Sequence, residues 1–181
     1  EAISKFEAEA HGLHYAPSEI ILTVGATEAL FASFSTILNP GDEVIIPTPA
    51  FGLYEALVQL QGGVPVSLPT EHNHFQIVPE ELKAAITDRT KAIILTSPNN
   101  PTGVVYSEET IKQMTAILDR KQKELKTDIY LISDEPYREL AYDGVNVPYL
   151  TKYYANTIVA YSFSKSLSLP GERIGYLVIP D

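Results

Sequence analysis

Short β-rich runs alternate along this chain with longer stretches whose apolar residues recur at helical spacing. The runs Ile20–Val24, Glu43–Pro47, Val64–Leu68, Ala92–Thr96, Ile129–Ser133, Thr157–Tyr161 and Gly175–Ile179 read as strands. Between them, Thr27–Leu38, Phe51–Gln61, Pro79–Thr87 and Glu108–Lys126 read as helices. Two of these carry start signals. Pro79 suits a first helical turn, and "SEET" (Ser107 to Thr110) offers a serine N-cap followed by acids. In the last helix Ile111, Met114, Ile117, Leu118 and Leu125 form one apolar stripe, while the lysines of "DRKQKELK" face water. The alternation predicts an α/β fold of three layers (α/β/α), with a mostly parallel seven-stranded sheet covered by helices on both faces. No repeat, low-complexity tract or linker interrupts it, so one domain is expected over residues 1–181.

Composition narrows the function classes. With 181 residues and 45% hydrophobic content the chain can bury a substantial core. The formal net charge is −10 and Lys and Arg are scarce, which argues against a nucleic-acid or anionic-membrane surface. There is no cysteine, so disulfides and thiolate metal sites are excluded, and a reducing, cytoplasmic location is expected. No apolar run approaches a membrane span, and "EAISKFEAEA" has no signal-peptide pattern. The chain starts without Met and stops at "VIPD" just after a strand-like run, which reads as part of a longer protein.

In α/β sheets of this kind ligands bind beyond the carboxyl ends of the strands, and four stretches stand out there. In "LTVGATEAL", Gly25 permits a tight turn, and the N–H groups of Ala26 and Thr27, the Thr27 hydroxyl and the helix dipole converge on one spot. That is a phosphate site or an ordinary strand-to-helix turn. In "TSPNNPTG", Asn100 sits at the rim of a rigid loop, as a turn residue or as a donor to a ring oxygen. In "IYLISDEPYREL", Asp134 and Glu135 follow an apolar run, with Tyr137 close behind. Asp134 is a helix cap or a carboxylate held ionised opposite a buried cation. The fourth stretch is "YSFSKSLSLPGERIGY". Lys165 follows the apolar run "NTIVAYSFS", a lysine at the end of a buried strand, and it could form a Schiff base if burial or a neighbouring cation lowered its pKa. Ser162, Ser164 and Arg173 can each contact phosphate, and Gly171 and Gly175 allow close backbone approach. His72 and His74 of "EHNHF" have strand spacing for a metal but no third ligand in view, so no metal site is expected. "HGLHY" carries no signal.

In their order and spacing the four stretches resemble the pyridoxal-phosphate enzymes of fold type I, the aspartate aminotransferase superfamily (class I/II). The run from Ser162 to Gly175 fits that family's lysine signature, "NNPTG" and "SDEPY" follow the family's order, and the resemblance covers nearly the whole chain. It implies pyridoxal 5'-phosphate as cofactor and a role for each residue. Lys165 resembles the lysine that holds the cofactor as a Schiff base and then moves a proton between the substrate Cα and the cofactor C4′. Asp134 matches the aspartate that pairs with the ring N–H. Tyr137 and Asn100 match the pair that hydrogen-bonds the ring's 3-oxygen. Ala26, Thr27, Ser162 and Arg173 resemble the phosphate cup, with Gly25 and Ser164 beside them in the cofactor-binding set. Phe51 in "PTPAFGLY" fits the aromatic that stacks on the ring, with Tyr54 as its competitor. The family often has cis peptides in the loops flanking the ring, which makes Thr48–Pro49 and Asn100–Pro101 the expected cis bonds.

The resemblance also implies parts outside this sequence. A C-terminal small domain supplies an arginine for the substrate carboxylate, an N-terminal arm closes the site, and a tyrosine from the second subunit of a homodimer reaches the phosphate. The chain is therefore expected to be the cofactor-binding large domain alone. The implied activity moves an amino group between an amino acid, aspartate or aromatic, and a 2-oxo acid. Two other readings share the cofactor site: a carbon–sulfur lyase, and the effector domain of a transcription regulator.

Overall fold

The computed structural model describes residues 1–180 and contains all seven expected strands in one sheet. They are β1 (Ile20–Thr23), β2 (Glu43–Thr48), β3 (Val64–Pro69), β4 (Thr90–Thr96), β5 (Tyr130–Asp134), β6 (Thr157–Ser162) and β7 (Gly175–Val178). Their order across the sheet is β1-β7-β6-β5-β4-β2-β3. The pairs from β3 to β6 are parallel, whereas β7 runs antiparallel to both of its neighbours, so the sheet is mixed.

Strand alternation divides the core. In β4, Ile93 and Leu95 face one layer, with Leu82 of helix α4 (Pro79–Ala85) and Met114 and Leu118 of α5 (Glu108–Leu125). Ala92 and Ile94 face the other, with Leu30 and Phe34 of α2 (Gly25–Ile37) and Val58 of α3 (Leu53–Leu60). Apart from Ala92, each such side chain, removed fully from water, contributes ~1.5–3 kcal/mol before conformational entropy is counted. The α5 cap forms as expected, the Ser107 hydroxyl accepting from the Thr110 N–H at 3.0 Å.

Two helices were not expected. Helix α1 (Ala2–His11) packs Ile3 and Phe6 against Tyr161, Tyr176 and Val178. Its stripe is hard to see because its buried position is Glu7, which accepts from the hydroxyls of Tyr149 (3.0 Å) and Tyr176 (2.5 Å). Gly12, at φ 66°, ends it with an N–H returned to Ala8. The other helix, α6 (Phe163–Ser166), is a single turn after β6. Helix α2 starts at Gly25 rather than Thr27. Thr48–Pro49 and Asn100–Pro101 are cis, as expected, and so is Ser97–Pro98. No helix among the described residues is long and apolar enough to cross a membrane.

The register brings the site together. Parallel strands β4 and β5 end in register at Thr96 and Asp134, and β6 runs two residues further, to Ser162. Because β7 runs the other way, its first residue, Gly175, pairs with Ser162 on one side and Thr23 on the other. The sheet reversal thus lays the starts of α2 and β7 beside the end of β6.

Candidate functional site

All the expected cofactor-binding residues except Gly25 line one cavity of about 320 Å³ at this edge, joined by Leu30, Tyr54, Pro136 and Pro170. Gly25 lies behind the wall, at φ 75°, where a Cβ would fall 2.5 Å from Arg173 Nη2. Gly175 is more tightly confined: a Cβ there would meet the Tyr161 carbonyl oxygen at 2.5 Å. Gly171, grouped with it in the sequence reading, has nothing within 4 Å of a built Cβ, so no close approach within this chain requires glycine there.

At one end of the cavity are groups suited to an anion. The Ala26–Thr27 turn opens the 13-residue helix α2. The Ser162 hydroxyl donates to Ser164 Oγ at 2.9 Å. Arg173 spends its guanidinium hydrogen bonds on the carbonyls of Pro170 (3.1 Å) and Val24 (3.4 Å), which leaves its charge for a ligand. Its own backbone is left-handed at φ 53°, a conformation costing a non-glycine residue roughly 1–2 kcal/mol.

At the other end lies Asp134, buried beneath the cavity. The Tyr54 hydroxyl donates to its Oδ2 at 2.6 Å and also contacts the Thr96 hydroxyl. Its Oδ1 is buried with no hydrogen-bond partner. Burial, helped by the nearby Glu135 charge and opposed by the Tyr54 hydrogen bond, pushes the carboxyl up to about 7. Glu135 itself is taken up by a buried ion pair with Arg138.

Asn100 Nδ2 donates to the Tyr137 hydroxyl at 3.3 Å, so the expected pair does meet. Phe51, 43% exposed, stands at the mouth edge-on to Tyr54. Tyr54, the other aromatic considered there, is tied through its hydroxyl to Asp134. It is also the site residue that sequence reasoning missed in this role, since nothing at its position signals a partner so far along the chain.

Lys165 departs from expectation. It lies on α6 beyond the strand and is exposed, with Nζ 5.9 Å from the centroid of the Tyr137 ring. The strand's last two residues, Tyr161 and Ser162, take the buried positions. His72 pairs with Glu81 at 3.0 Å on the surface, and no cluster of metal-ligating residues occurs among the described residues.

This donor set fits pyridoxal phosphate. A buried, unpartnered carboxylate oxygen asks for an N–H or a cation, while hydroxyls, a helix start and an arginine at the opposite end ask for a dianion.

The family model described as "Aminotransferase class I and II" matches residues 1–181. The chain is 45% identical to the aspartate aminotransferase of Geobacillus stearothermophilus, covering 99% of this chain and 45% of that protein. It is 41% identical to the probable aspartate/prephenate aminotransferase of Thermus aquaticus, covering 99% and 46% respectively. Among solved structures, an amino transferase from Eubacterium rectale superposes with a TM-score of 0.96 at 46% identity, and the Thermus thermophilus aspartate aminotransferase with maleate at 0.90 and 38%. Both alignments cover 99% of this chain and 46% of the other. The chain thus spans a little under half the length of these relatives.

Proposed function

The chain belongs to the class I and II aminotransferases, and from that premise we propose that it is the cofactor-binding large domain of a pyridoxal-phosphate-dependent transaminase. The complete protein would act as a homodimer, moving an amino group between an amino acid and a 2-oxo acid. Aspartate is the first candidate donor, on the names of the relatives, with an aromatic amino acid second. The lyase and regulator readings find no support among those names.

The observation that carries this reading is Asp134, whose Oδ2 is held by Tyr54 while Oδ1 is buried and free. When bound, pyridoxal phosphate supplies an electron-accepting ring that stabilises negative charge at the substrate Cα. In this proposal Asp134 Oδ1 accepts the ring N–H and keeps that proton in place. Tyr137 and Asn100 donate to the ring's 3-oxygen. Ala26, Thr27, Ser162, Ser164 and Arg173 hold the phosphate, and Gly25 leaves the arginine room to reach it. Phe51 covers one ring face and excludes water there. Lys165 would hold the cofactor through its amine, and that amine, once free, would serve as the base that moves the proton at the substrate Cα.

The test is to supply the complete protein with pyridoxal phosphate and assay a panel of amino donors with 2-oxoglutarate. Turnover with aspartate or an aromatic donor is expected. Bound cofactor with no transamination of any donor would overturn the assignment.

A further inference from the structure

Tyr161 is the next-to-last residue of β6, in register with Tyr176 of β7. Its ring is buried and held on two sides, stacked on Tyr176 at 4.9 Å and 25°, and edge-on to Phe163 at 5.1 Å. Phenylalanine would serve that packing equally well, so the hydroxyl has another explanation. It lies 2.9 Å from Glu139 Oε1 and 3.0 Å from Ser166 Oγ. A carboxylate only accepts, so the phenol gives its one proton to Glu139 and accepts from Ser166. Both partners adjoin the candidate site. Ser166 follows Lys165 in the single turn α6, and Glu139 belongs to the short turn Arg138–Leu140 that follows Tyr137.

We propose that the Tyr161 hydroxyl is a positioning group that fastens the Lys165 turn to the Tyr137 loop. It would thereby set the direction in which the lysine amine meets the ring oxygen's partners. A four-residue helix and an exposed lysine have little intrinsic stiffness, whereas Tyr161 is fixed by its aromatic neighbours and by both strands. One rigid hydroxyl bridging two loops converts that stiffness into a defined separation between Lys165 and Tyr137. The inference rests on the proposed function for its catalytic meaning. The fastening itself is independent of it.

The experiment is Tyr161→Phe in the complete protein. The melting temperature should stay near wild type, while amide hydrogen exchange quickens in residues 163–168 and 137–140 together. With pyridoxal phosphate added, its dissociation constant should rise roughly 3- to 10-fold, the loss expected for one or two buried hydrogen bonds. The visible circular dichroism of the lysine-bound cofactor should change, and kcat should fall with little change in KM for the amino donor. Ser166→Ala should quicken exchange in residues 163–168 while residues 137–140, still held by the Tyr161–Glu139 bond, stay near wild type, and the double variant should be no worse than Tyr161→Phe alone. Unchanged exchange in both segments with a wild-type dichroism band would overturn the proposal. So would faster exchange throughout the chain with a lowered melting temperature, which would make Tyr161 a packing residue only. Should Tyr161→Phe fail to fold, Ser166→Ala tests the hold on the Lys165 turn from a half-buried position, and unchanged exchange in residues 163–168 would then overturn the proposal. If wild type binds no cofactor at the lysine, the proposed function fails, and the exchange pattern still decides the fastening.

Discussion

Gly175 and Gly25 touch backbone to backbone: a Cβ placed on Gly175 would lie 2.8 Å from the Gly25 carbonyl carbon and 2.9 Å from its Cα. These atoms cannot swing aside as a side chain can. Gly175→Ala should therefore destabilise the protein by about 3 kcal/mol or more and separate the α2 start from the Ser162 turn. Gly171→Ala, in open space, should lie within about 0.5 kcal/mol of wild type. Urea unfolding of both variants checks the contrast, and equal stabilities would show the contact is not required.

Lys165→Ala should abolish the yellow absorbance of lysine-bound pyridoxal phosphate in the complete protein. Turnover should drop by at least ~10²–10⁴-fold, the range for a positioned proton-transfer group. A surviving band, or cofactor attached to a different lysine, would remove the central assignment.

Asp134→Asn should separate stability from binding. Burial raises the folded carboxyl to about 7, so between the ordinary carboxyl range and that value the folded protein holds more protons than the unfolded chain. Stability then falls as pH rises through this window, and the deficit is complete above it. The asparagine variant lacks that slope. Without added cofactor it should exceed wild type at pH 8 by up to about 4 kcal/mol. Its affinity for pyridoxal phosphate should meanwhile drop roughly 10- to 100-fold, through loss of a charged acceptor. Urea unfolding at pH 5 and 8 with cofactor titration reads both effects.

Glu7 offers a second titration, away from the site. Burial raises its carboxyl pKa against the opposing hydrogen bonds from Tyr176 and Tyr149, so wild type should gain stability relative to Glu7→Gln as pH is lowered from neutrality. At pH 7 the glutamine variant should stay within about 1 kcal/mol of wild type. Glu7→Ala leaves two buried phenols without an acceptor and should cost about 3 kcal/mol or more. Chemical denaturation of the three proteins at pH 5 and 7 is sufficient.

The central strands were legible because β-branched runs such as "AIILT" and "TIVAYS" suit burial on both faces. That the candidate residues would gather in one cavity followed from the family resemblance, since the residues alone left turn and helix-cap readings open. Three features were hidden. Helix α1 was hidden because a glutamate occupies its core position, and only two distant tyrosines make that tolerable. The antiparallel course of β7 was hidden because hydrophobic pattern does not encode strand direction. The partnership of Tyr54 with Asp134, 80 residues apart, was hidden because a hydrogen bond of that reach leaves no local trace.

The placement of β7 between β1 and β6 also bears on the order of folding. The parallel strands can join through neighbouring helices, but the anion end of the cavity exists only after β1 closes on β7. That closure brings Val24 to Arg173, 149 residues away along the chain. Bridging so long a loop is an entropic cost that the central strands do not face. The contacts that the proposed phosphate site would use are therefore expected to form late. A ligand that spans the Gly25 turn and the Ser162–Arg173 loop would recognise only the finished molecule, and by mass action it would hold β1 against β7.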